Sequence, residues 1–292
     1  MSPLQSRERL RIVHLFPELL NLYGDRGNIA TLAQRARWRG LDVEIRSIDA
    51  TAAGTPIAAD IIFIGGGPDH MQVGVAHALT QMEGSLARAI SDGAALLAVC
   101  GGFQNLGDLY RSSLVGNLPG PGLFDARTEA PDRARRLVGG VVVELEPGSP
   151  IAAMGRTSAL AAGFAGQEET IVGFENHSGR TFLNHRVRAL GRVARGHGNN
   201  GVDGGEGVIA LPGEAGLAGL RVGTYLHGPL LPRNPHLADF ILASVLARRG
   251  MTELPALPDD AEWAAHAAFA DRWHSAGAPG AFARLLAVRR RI

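Results

Sequence analysis

The stretch Ala94-Ala95-Leu96-Leu97-Ala98-Val99-Cys100-Gly101-Gly102-Phe103-Gln104 decides the fold. Its apolar half predicts a buried strand and its last residues begin a helix, so the only cysteine of the chain falls on the tight turn between them. Glycines allow such a turn because they carry no Cβ atom. Backbone N–H groups at a helix start favour a thiolate and a developing oxyanion. Cys100 is therefore a candidate nucleophile, and the alternative is a small thiol buried at a strand end.

The composition is that of a globular protein without a nucleic-acid footprint. The chain has 292 residues, 46% hydrophobic and 20% charged, with a net charge of +1. All 29 basic residues are arginine, which we attribute to coding bias. A single cysteine excludes an internal disulfide and is typical of a reducing compartment. The polar start and the lack of an apolar run of about 20 residues predict a cytoplasmic protein without a transmembrane segment.

Strands and helices alternate along the first half of the chain. This order predicts an α/β fold with a mostly parallel central sheet flanked by helices. Asn28 is the predicted cap of the first helix and Gly40 its end. The predicted strands are 11–16, 43–48, 60–64, 94–99, 140–143, 170–174, 208–211 and 222–226, and the predicted helices are 29–39, 75–91 and 234–249.

The chain reads as one catalytic domain followed by a tail. Residues 10–250 form the predicted domain, because no change in composition divides them. Residues 251–258 contain two prolines and predict a linker, and from Asp259 or Asp260 the chain predicts a helical tail. We expect the segment 251–292 to pack on or near the domain.

Four histidines are candidates for the base that would activate Cys100. His227 follows a predicted strand at the carboxyl edge of the sheet, where sites form in open parallel sheets, and this favours it. His177 is expected in a polar turn after another strand, His197 in a glycine-rich loop, and His70 after a triple glycine.

The glycine-rich loop also matches a dinucleotide-binding pattern. Residues 196–201 satisfy G-x-G-x-x-G but lead into a strand, so no helix start is present to bind a pyrophosphate. The loop and the residues after it carry one aspartate and one glutamate, too few for a calcium loop. We expect a mobile loop near the site. No phosphate-binding lysine motif is present, so any use of ATP is expected to belong to a partner. We expect no metal or cofactor in this chain.

Several motifs together resemble a known family. Cys100-Gly101-Gly102-Phe103-Gln104, the loop 65–68 and the segment 223–229 resemble class I glutamine amidotransferases of the cobyric-acid-synthase type. The motifs at 20–28, 172–177 and 198–200 are similar to the glutaminase subunits (GatD) of lipid II isoglutaminyl synthases. The resemblance runs from about Arg11 into the tail and implies the flavodoxin-like class I amidotransferase fold.

The resemblance implies a function that composition alone does not. Such a subunit hydrolyses L-glutamine through a cysteinyl thioester and passes ammonia to a Mur-ligase-like (MurT-type) partner in a heterodimer. The partner, which binds ATP and Mg²⁺, amidates the D-glutamate of the lipid II stem peptide, at the inner face of the membrane. One alternative is a cobyric-acid-type amidotransferase of another pathway, which usually carries its own synthetase domain. The other is a non-catalytic scaffold, disfavoured because Cys100 and His227 are intact.

The resemblance also implies roles for single residues. Cys100 is the nucleophile, His227 its base, and Gln104 helps to hold the substrate. Arg136 is implied in glutamine binding, since a guanidinium suits an α-carboxylate, although a solvated surface arginine is the alternative. The implied oxyanion hole consists of the backbone N–H groups of Gly67 and Gly101.

The residue that orients His227 is left open. Many class I amidotransferases continue His-x-Glu, whereas this chain has His227-Gly228-Pro229. A backbone carbonyl, a water, an acidic residue such as Glu175, or a carboxylate of the partner could fill this role. The loops around Asp25 and Asn199 are the predicted contact surface for the partner.

Overall fold

The computed structural model describes residues 9–52, 55–113, 115–131 and 135–275. The strands are β1 (Leu10–Leu15), β2 (Val43–Ile48), β3 (Ile61–Ile64), β4 (Ala95–Val99), β5 (Leu109–Ser112), β6 (Gly116–Pro119), β7 (Ala126–Ala130), β8 (Leu137–Glu144), β9 (Thr170–His177), β10 (Arg180–Leu183), β11 (Gly191–Arg195), β12 (Gly205–Glu206), β13 (Val208–Ala210) and β14 (Arg221–Thr224). The α-helices are α1 (Arg26–Trp38), α2 (Gln72–Ser91), α3 (Gly101–Asn105), α4 (Pro150–Ala161), α5 (Pro235–Leu246) and α6 (Asp260–Ser275).

The central sheet has six strands in the order β13-β14-β4-β3-β1-β2. Five of them are parallel, and β13 pairs antiparallel with β14 at the edge. Strands β3, β4 and β14 are buried along their whole length, as expected for a parallel sheet covered on both faces. The predicted α/β fold with a mostly parallel sheet is confirmed. The carboxyl ends of these three strands meet at one edge of the sheet.

Two smaller sheets add to this core. Their strand orders are β10-β7-β5-β6 and β12-β11-β8-β9. In the second sheet, β8 pairs antiparallel with β9 from Leu137 opposite His177 to Glu144 opposite Thr170. His177 therefore ends a strand and is buried, so its prediction in a polar turn is wrong. An isolated bridge between Phe174 and His227 connects this sheet to the edge of the central one.

The first helix begins earlier than the sequence predicts. Helix α1 starts at Arg26, so Asn28 lies inside it and is not its cap. The Asn28 Oδ1 atom instead accepts the backbone N–H of Leu231 at 2.9 Å, a contact between residues 203 positions apart. The end of the helix is as predicted, because Gly40 follows it with a φ of +75°.

The C-terminal segment packs back on the rest of the chain. Helix α6 confirms the predicted helical tail, and residues 276–292 lie outside the described structure. Its Trp263 is fully buried. Asp259, just before the helix, accepts two hydrogen bonds from the buried guanidinium of Arg35 in α1, at 2.7 and 3.0 Å. In the part of the chain that the structure describes, no helix combines the length and apolar character that a membrane crossing requires.

Candidate active site

Cys100 occupies the sharp turn between β4 and α3. Its φ of +48° and ψ of −106° lie outside the usual regions for a residue with a side chain, a strained geometry found at functional sites. The backbone N–H of Cys100 donates to the carbonyl of Thr224 at 2.7 Å, which ties the turn to the end of β14. The strand-turn-helix arrangement is the one that the sequence predicts.

The glycines beside Cys100 allow the turn to pack closely. A Cβ atom on Gly102 would lie 2.9 Å from the carbonyl oxygen of Ile64, so no larger residue fits there without movement. A Cβ atom on Gly101 would lie 3.2 Å from the backbone nitrogen of Gly67. The backbones of Gly101 and Gly67 are thus neighbours, which is the proximity that their predicted shared oxyanion hole requires.

His227 lies beside Cys100, three residues beyond the end of β14. Its backbone exchanges two hydrogen bonds with Phe174, of 2.7 and 3.2 Å, and its side chain is fully buried. A Cβ atom on Gly66 would lie 2.6 Å from His227 Cε1 and 3.1 Å from Cys100 Cβ, so both side chains pack against the same glycine. Burial alone would lower the pKa of His227, but the adjacent Cys100 and the carboxylate of Asp25 outweigh it and raise the pKa to about 10.

Asp25 is the group that orients His227. Its Oδ1 lies 3.2 Å from His227 Nδ1, and its Oδ2 accepts the backbone N–H of Gly66 at 2.8 Å. The side chain of Asp25 is fully buried, whereas its neighbours Gly24 and Arg26 are exposed, so the predicted partner contact of this loop stays a prediction. The structure therefore answers the question that the missing His-x-Glu pattern leaves open, with a carboxylate from the loop before α1.

Glu175, the acidic candidate suggested by sequence, anchors a different part of the site. Its Oε1 accepts the backbone N–H of His197 at 2.8 Å and contacts His197 Nδ1 at 2.7 Å, while its Oε2 accepts the N–H of Gly198 at 3.0 Å. Asn199 is 1% exposed and makes two 2.8 Å hydrogen bonds to the backbone of Gly207. The residues on both sides of it, 196–197 and 201–203, are exposed, so the predicted partner contact of this loop also stays a prediction.

A cavity of about 200 Å³ opens beside Cys100. This volume is below the range of about 300–1,000 Å³ that drug-sized ligands occupy and suits a small amino acid. Four of the six predicted site residues line the cavity, and so does the candidate base His177, whereas His227, Gly101 and His70 are not among its lining residues. The lining residues are Leu22, Gly67, Pro68, Cys100, Gln104, Arg136, Asn176 and His177.

Two lining side chains are fixed by the protein itself. Gln104 donates from Nε2 to the hydroxyl of Tyr225 at 3.2 Å and accepts from Gln72 at 3.1 Å. His177 stacks on Tyr225 with ring centroids 3.6 Å apart, and its Nδ1 bonds the carbonyl of Gly179 at 2.8 Å. Burial lowers the pKa of His177, so the ring is neutral at pH 7 and forms a wall of the cavity.

Arg136 lies at the mouth of the cavity. Its Nε donates to Asn176 Oδ1 at 2.8 Å, and its Nη2 donates to the Asn176 carbonyl at 2.9 Å. Arg136 is exposed, and it lines the same cavity as Cys100. Its neighbour Arg133 lies outside the described residues, and the Arg135 carbonyl accepts a 2.7 Å hydrogen bond from Arg180.

Comparison with known proteins shows the family of this chain. The model of the CobB/CobQ-like glutamine amidotransferase domain matches residues 11–235. The chain belongs to this family. The predicted amidotransferase identity is confirmed, and the chain is a glutamine-hydrolysing enzyme.

Relatives of this amidotransferase fall into two groups. It is 37% identical over 264 residues to the lipid II isoglutaminyl synthase (glutamine-hydrolyzing) subunit GatD of Staphylococcus aureus. The aligned residues make up 90% of this chain and 96% of the relative. The GatD subunit of Streptococcus pneumoniae is 33% identical over 253 residues, 86% of each chain. Cobyric acid synthase of Pelotomaculum thermopropionicum is 30% identical over 182 residues, 60% of this chain and 30% of that protein.

A second buried carboxylate supports the segment 225–230, which carries His227 and is called the histidine loop below. Glu206 Oε1 accepts the Thr224 hydroxyl at 2.6 Å and the Tyr225 N–H at 2.8 Å, and the Thr224 hydroxyl oxygen accepts the Leu226 N–H at 3.0 Å. These bonds shape the turn that leads from β14 to His227. Burial raises the pKa of Glu206 to about 7. Sequence reasoning missed this residue, because a lone glutamate in a glycine-rich segment gives no signal of burial.

Proposed function

We propose that this amidotransferase is the glutaminase subunit of a lipid II isoglutaminyl synthase. In this role it hydrolyses L-glutamine and delivers ammonia to a Mur-ligase-like (MurT-type) partner. The partner uses ATP and Mg²⁺ to convert the D-glutamate of the peptidoglycan stem peptide to D-isoglutamine. The proposal is supported by two relatives that carry this name and match this chain over 90% and 86% of its length.

The observation that carries the catalytic assignment is the buried array of Cys100, His227 and Asp25, of which Cys100 lines a small cavity. In the proposed complex with glutamine, the α-carboxylate binds Arg136 at the mouth, because a guanidinium pairs well with a carboxylate. The side-chain amide then points to Cys100. Gln104, held by Tyr225 and Gln72, forms the wall beside it.

The chemistry follows in two halves. The Cys100 thiolate attacks the amide carbon, and the oxyanion accepts hydrogen bonds from the N–H groups of Gly67 and Gly101. The His227 imidazolium gives its Nε2 proton to the leaving nitrogen, which departs as ammonia and leaves a thioester. His227, now neutral, takes a proton from water as the water attacks the thioester. Collapse of this second intermediate releases glutamate and restores the thiolate and the imidazolium.

Asp25 fixes the orientation and the tautomer of His227 in both halves of the reaction. A carboxylate at Nδ1 keeps the proton on that nitrogen, so Nε2 is the atom that exchanges protons with the substrate. The raised pKa of His227 agrees with an imidazolium resting state. The imidazolium is the proton donor that this step needs, because the amide nitrogen leaves as ammonia only after it has gained a proton.

The test measures glutamate release and acceptor amidation together. The chain alone, the Mur-ligase-like partner alone and the mixture are compared at matched concentrations, with ATP, Mg²⁺ and a D-glutamate-containing lipid-linked precursor. We expect weak hydrolysis by the chain alone and amidation only in the mixture. The mixture with Cys100→Ala should amidate with free ammonium chloride but not with glutamine, which separates ammonia supply from ligation.

The alternative is an amidotransferase acting on cobyrinic acids. It is less favoured, because the cobyric acid synthase of P. thermopropionicum is matched over only 30% of its length. The same assay with a cobyrinic acid acceptor discriminates between the two. Amidation of that acceptor, or full glutamine turnover unaffected by the Mur-ligase-like protein, would contradict the proposed subunit.

A further inference from the structure

Helix α6 lies beyond the residues that the family model matches, which end at position 235. It is nevertheless in contact with the short turn Leu231–Arg233, which connects the segment after His227 to α5. The helix is thus close in space to the histidine loop, although it is distant in sequence. Arg233 of this turn makes a hydrogen bond and a cation–π contact with the helix.

Arg233 is held by α6 at both of its ends. Its backbone carbonyl accepts a hydrogen bond from His266 Nδ1 at 2.8 Å. His266 is fully buried and its pKa is lowered to about 4, so the ring is neutral and its Nδ1 carries the proton that is donated. The guanidinium of Arg233 lies over the ring of Phe269, with 5.2 Å between Cζ and the ring centroid.

The same guanidinium reaches the residue that follows His227. Arg233 Nη1 donates to the carbonyl of Gly228 at 2.8 Å. Gly228 has a φ of +108°, a conformation that residues with side chains rarely adopt. This charge-assisted hydrogen bond therefore holds the Gly228–Pro229 peptide group, one residue beyond the histidine.

The opposite side of this segment is held by α1. A Cβ atom on Gly27 would lie 2.5 Å from the ring of Pro229, and Asn28 Oδ1 accepts the N–H of Leu231 at 2.9 Å. The loop before α1 carries Asp25, the partner of His227. The histidine segment is therefore clamped between the helix that follows Asp25 and, through Arg233, the C-terminal helix.

We propose that α6 is a positioning element of the glutaminase: through Phe269 and His266 it holds Arg233, whose bond to Gly228 keeps the His227 imidazole against Cys100. This inference rests on the proposed catalytic role of His227. Arg233, Phe269 and His266 touch neither substrate nor thiol and act through the histidine loop. Misplacement of a reacting group by about 1 Å can cost about 100-fold in rate, so a small relaxation of this loop is measurable.

The test uses Arg233→Ala, Arg233→Lys and Phe269→Leu in the full chain. Arg156→Ala is the matched control, because Arg156 is a surface arginine on α4 whose side chain is 62% exposed. Glutamine hydrolysis gives kcat and KM, and the pH dependence of Cys100 alkylation by iodoacetamide reports the thiol–imidazole pair without glutamine or a partner. Thermal unfolding of each variant is recorded alongside.

We expect Arg233→Ala to lower kcat about 10-fold or more with KM changed less than 2-fold, and to shift the alkylation profile in the same direction as His227→Ala. Arg233→Lys should recover part of the loss, because an ammonium can still donate to Gly228. Phe269→Leu keeps the helix packed and should give a smaller effect of the same kind. Arg156→Ala should match the parent.

Two negative results are distinguishable. If His227→Ala shifts the alkylation profile but the Arg233 and Phe269 variants change only the unfolding temperature, then α6 is merely structural and the inference is overturned while the proposed function stands. If His227→Ala itself leaves the alkylation profile and the turnover unchanged, the catalytic assignment fails, and the positioning role fails with it.

Discussion

Replacing Asp25 with asparagine tests the central triad with minimal change of shape. Asp25 accepts two hydrogen bonds, one from His227 Nδ1 at 3.2 Å and one from the Gly66 N–H at 2.8 Å. Asparagine offers one acceptor and one donor at these two places. With its oxygen on Gly66, its NH₂ group faces Nδ1, which must then accept. The ring proton moves to Nε2, and the neutral imidazole can no longer take the proton of the thiol.

The expected fall in kcat follows from the loss of general acid–base catalysis by His227. General acid–base catalysis contributes about 10²–10⁴-fold, and a wrong histidine tautomer in a serine protease triad costs about 10⁴-fold. We therefore expect Asp25→Asn to lower kcat by about 10²–10⁴-fold. Removal of the carboxylate also lowers the pKa of His227, because Asp25 is among the groups that raise it to about 10. Stability should fall by no more than about 3 kcal/mol, since both hydrogen bonds that Asp25 accepts lose the contribution of its charge.

The measurement is glutamate release at saturating glutamine, with urea unfolding as the check on folding. Asp42→Asn is the matched control, because Asp42 is an exposed aspartate just before β2. Labelling by a glutamine-analogue diazo-ketone should slow in Asp25→Asn in proportion to kcat. A loss of less than threefold in a folded Asp25→Asn protein would refute the role assigned to Asp25.

The remaining predictions concern four other side chains. His227→Ala should lose at least about 100-fold in glutamate release, whereas His177→Ala should keep most of it; the reverse would assign the base to His177. Arg136→Ala should raise KM for glutamine with a smaller effect on kcat, and Arg136→Lys should recover only part; an unchanged KM in both would remove Arg136 from the binding site. The pKa of Glu206 rises from 4.5 to about 7 on folding, so the folded state binds the extra proton and stability falls as the pH rises from about 4.5 through 7. Glu206→Gln should remove this fall, a relative gain of up to about 3 kcal/mol at pH 8 in urea unfolding, and equal pH slopes in both proteins would contradict it.

The central sheet could be predicted because its strands are marked locally. The run Ile61–Ile64 is apolar throughout and ends at glycines, a pattern typical of a buried parallel strand. The turn at Cys100 could be predicted for the same reason, since strand, cysteine and glycines are adjacent in the sequence. A short apolar run that is bounded by glycines has few possible structures other than a buried strand.

The parts that could not be predicted depend on contacts between distant residues. Asn28 has the side chain of a helix cap, yet it bonds Leu231, which lies 203 positions away. Asp25 sits in a polar segment that looks exposed, yet it is buried against His227, 202 positions away. The choice between a cap and a long-range partner, or between surface and core, is made by tertiary packing and has no local signature.

The source of the orienting carboxylate follows from the shape of the histidine loop. Gly228 adopts a positive φ, and Pro229 packs on Gly27 of α1. Pro229, two residues after His227, thus allows α1 to lie close to the histidine loop. A Cβ atom on Gly27 would lie 2.5 Å from Pro229, which makes the glycine and the proline a matched pair. Because α1 is held at this distance, the residue just before it, Asp25, reaches Nδ1 of His227. A proline where many class I amidotransferases have glutamate thus goes together with an aspartate supplied from the opposite end of the chain.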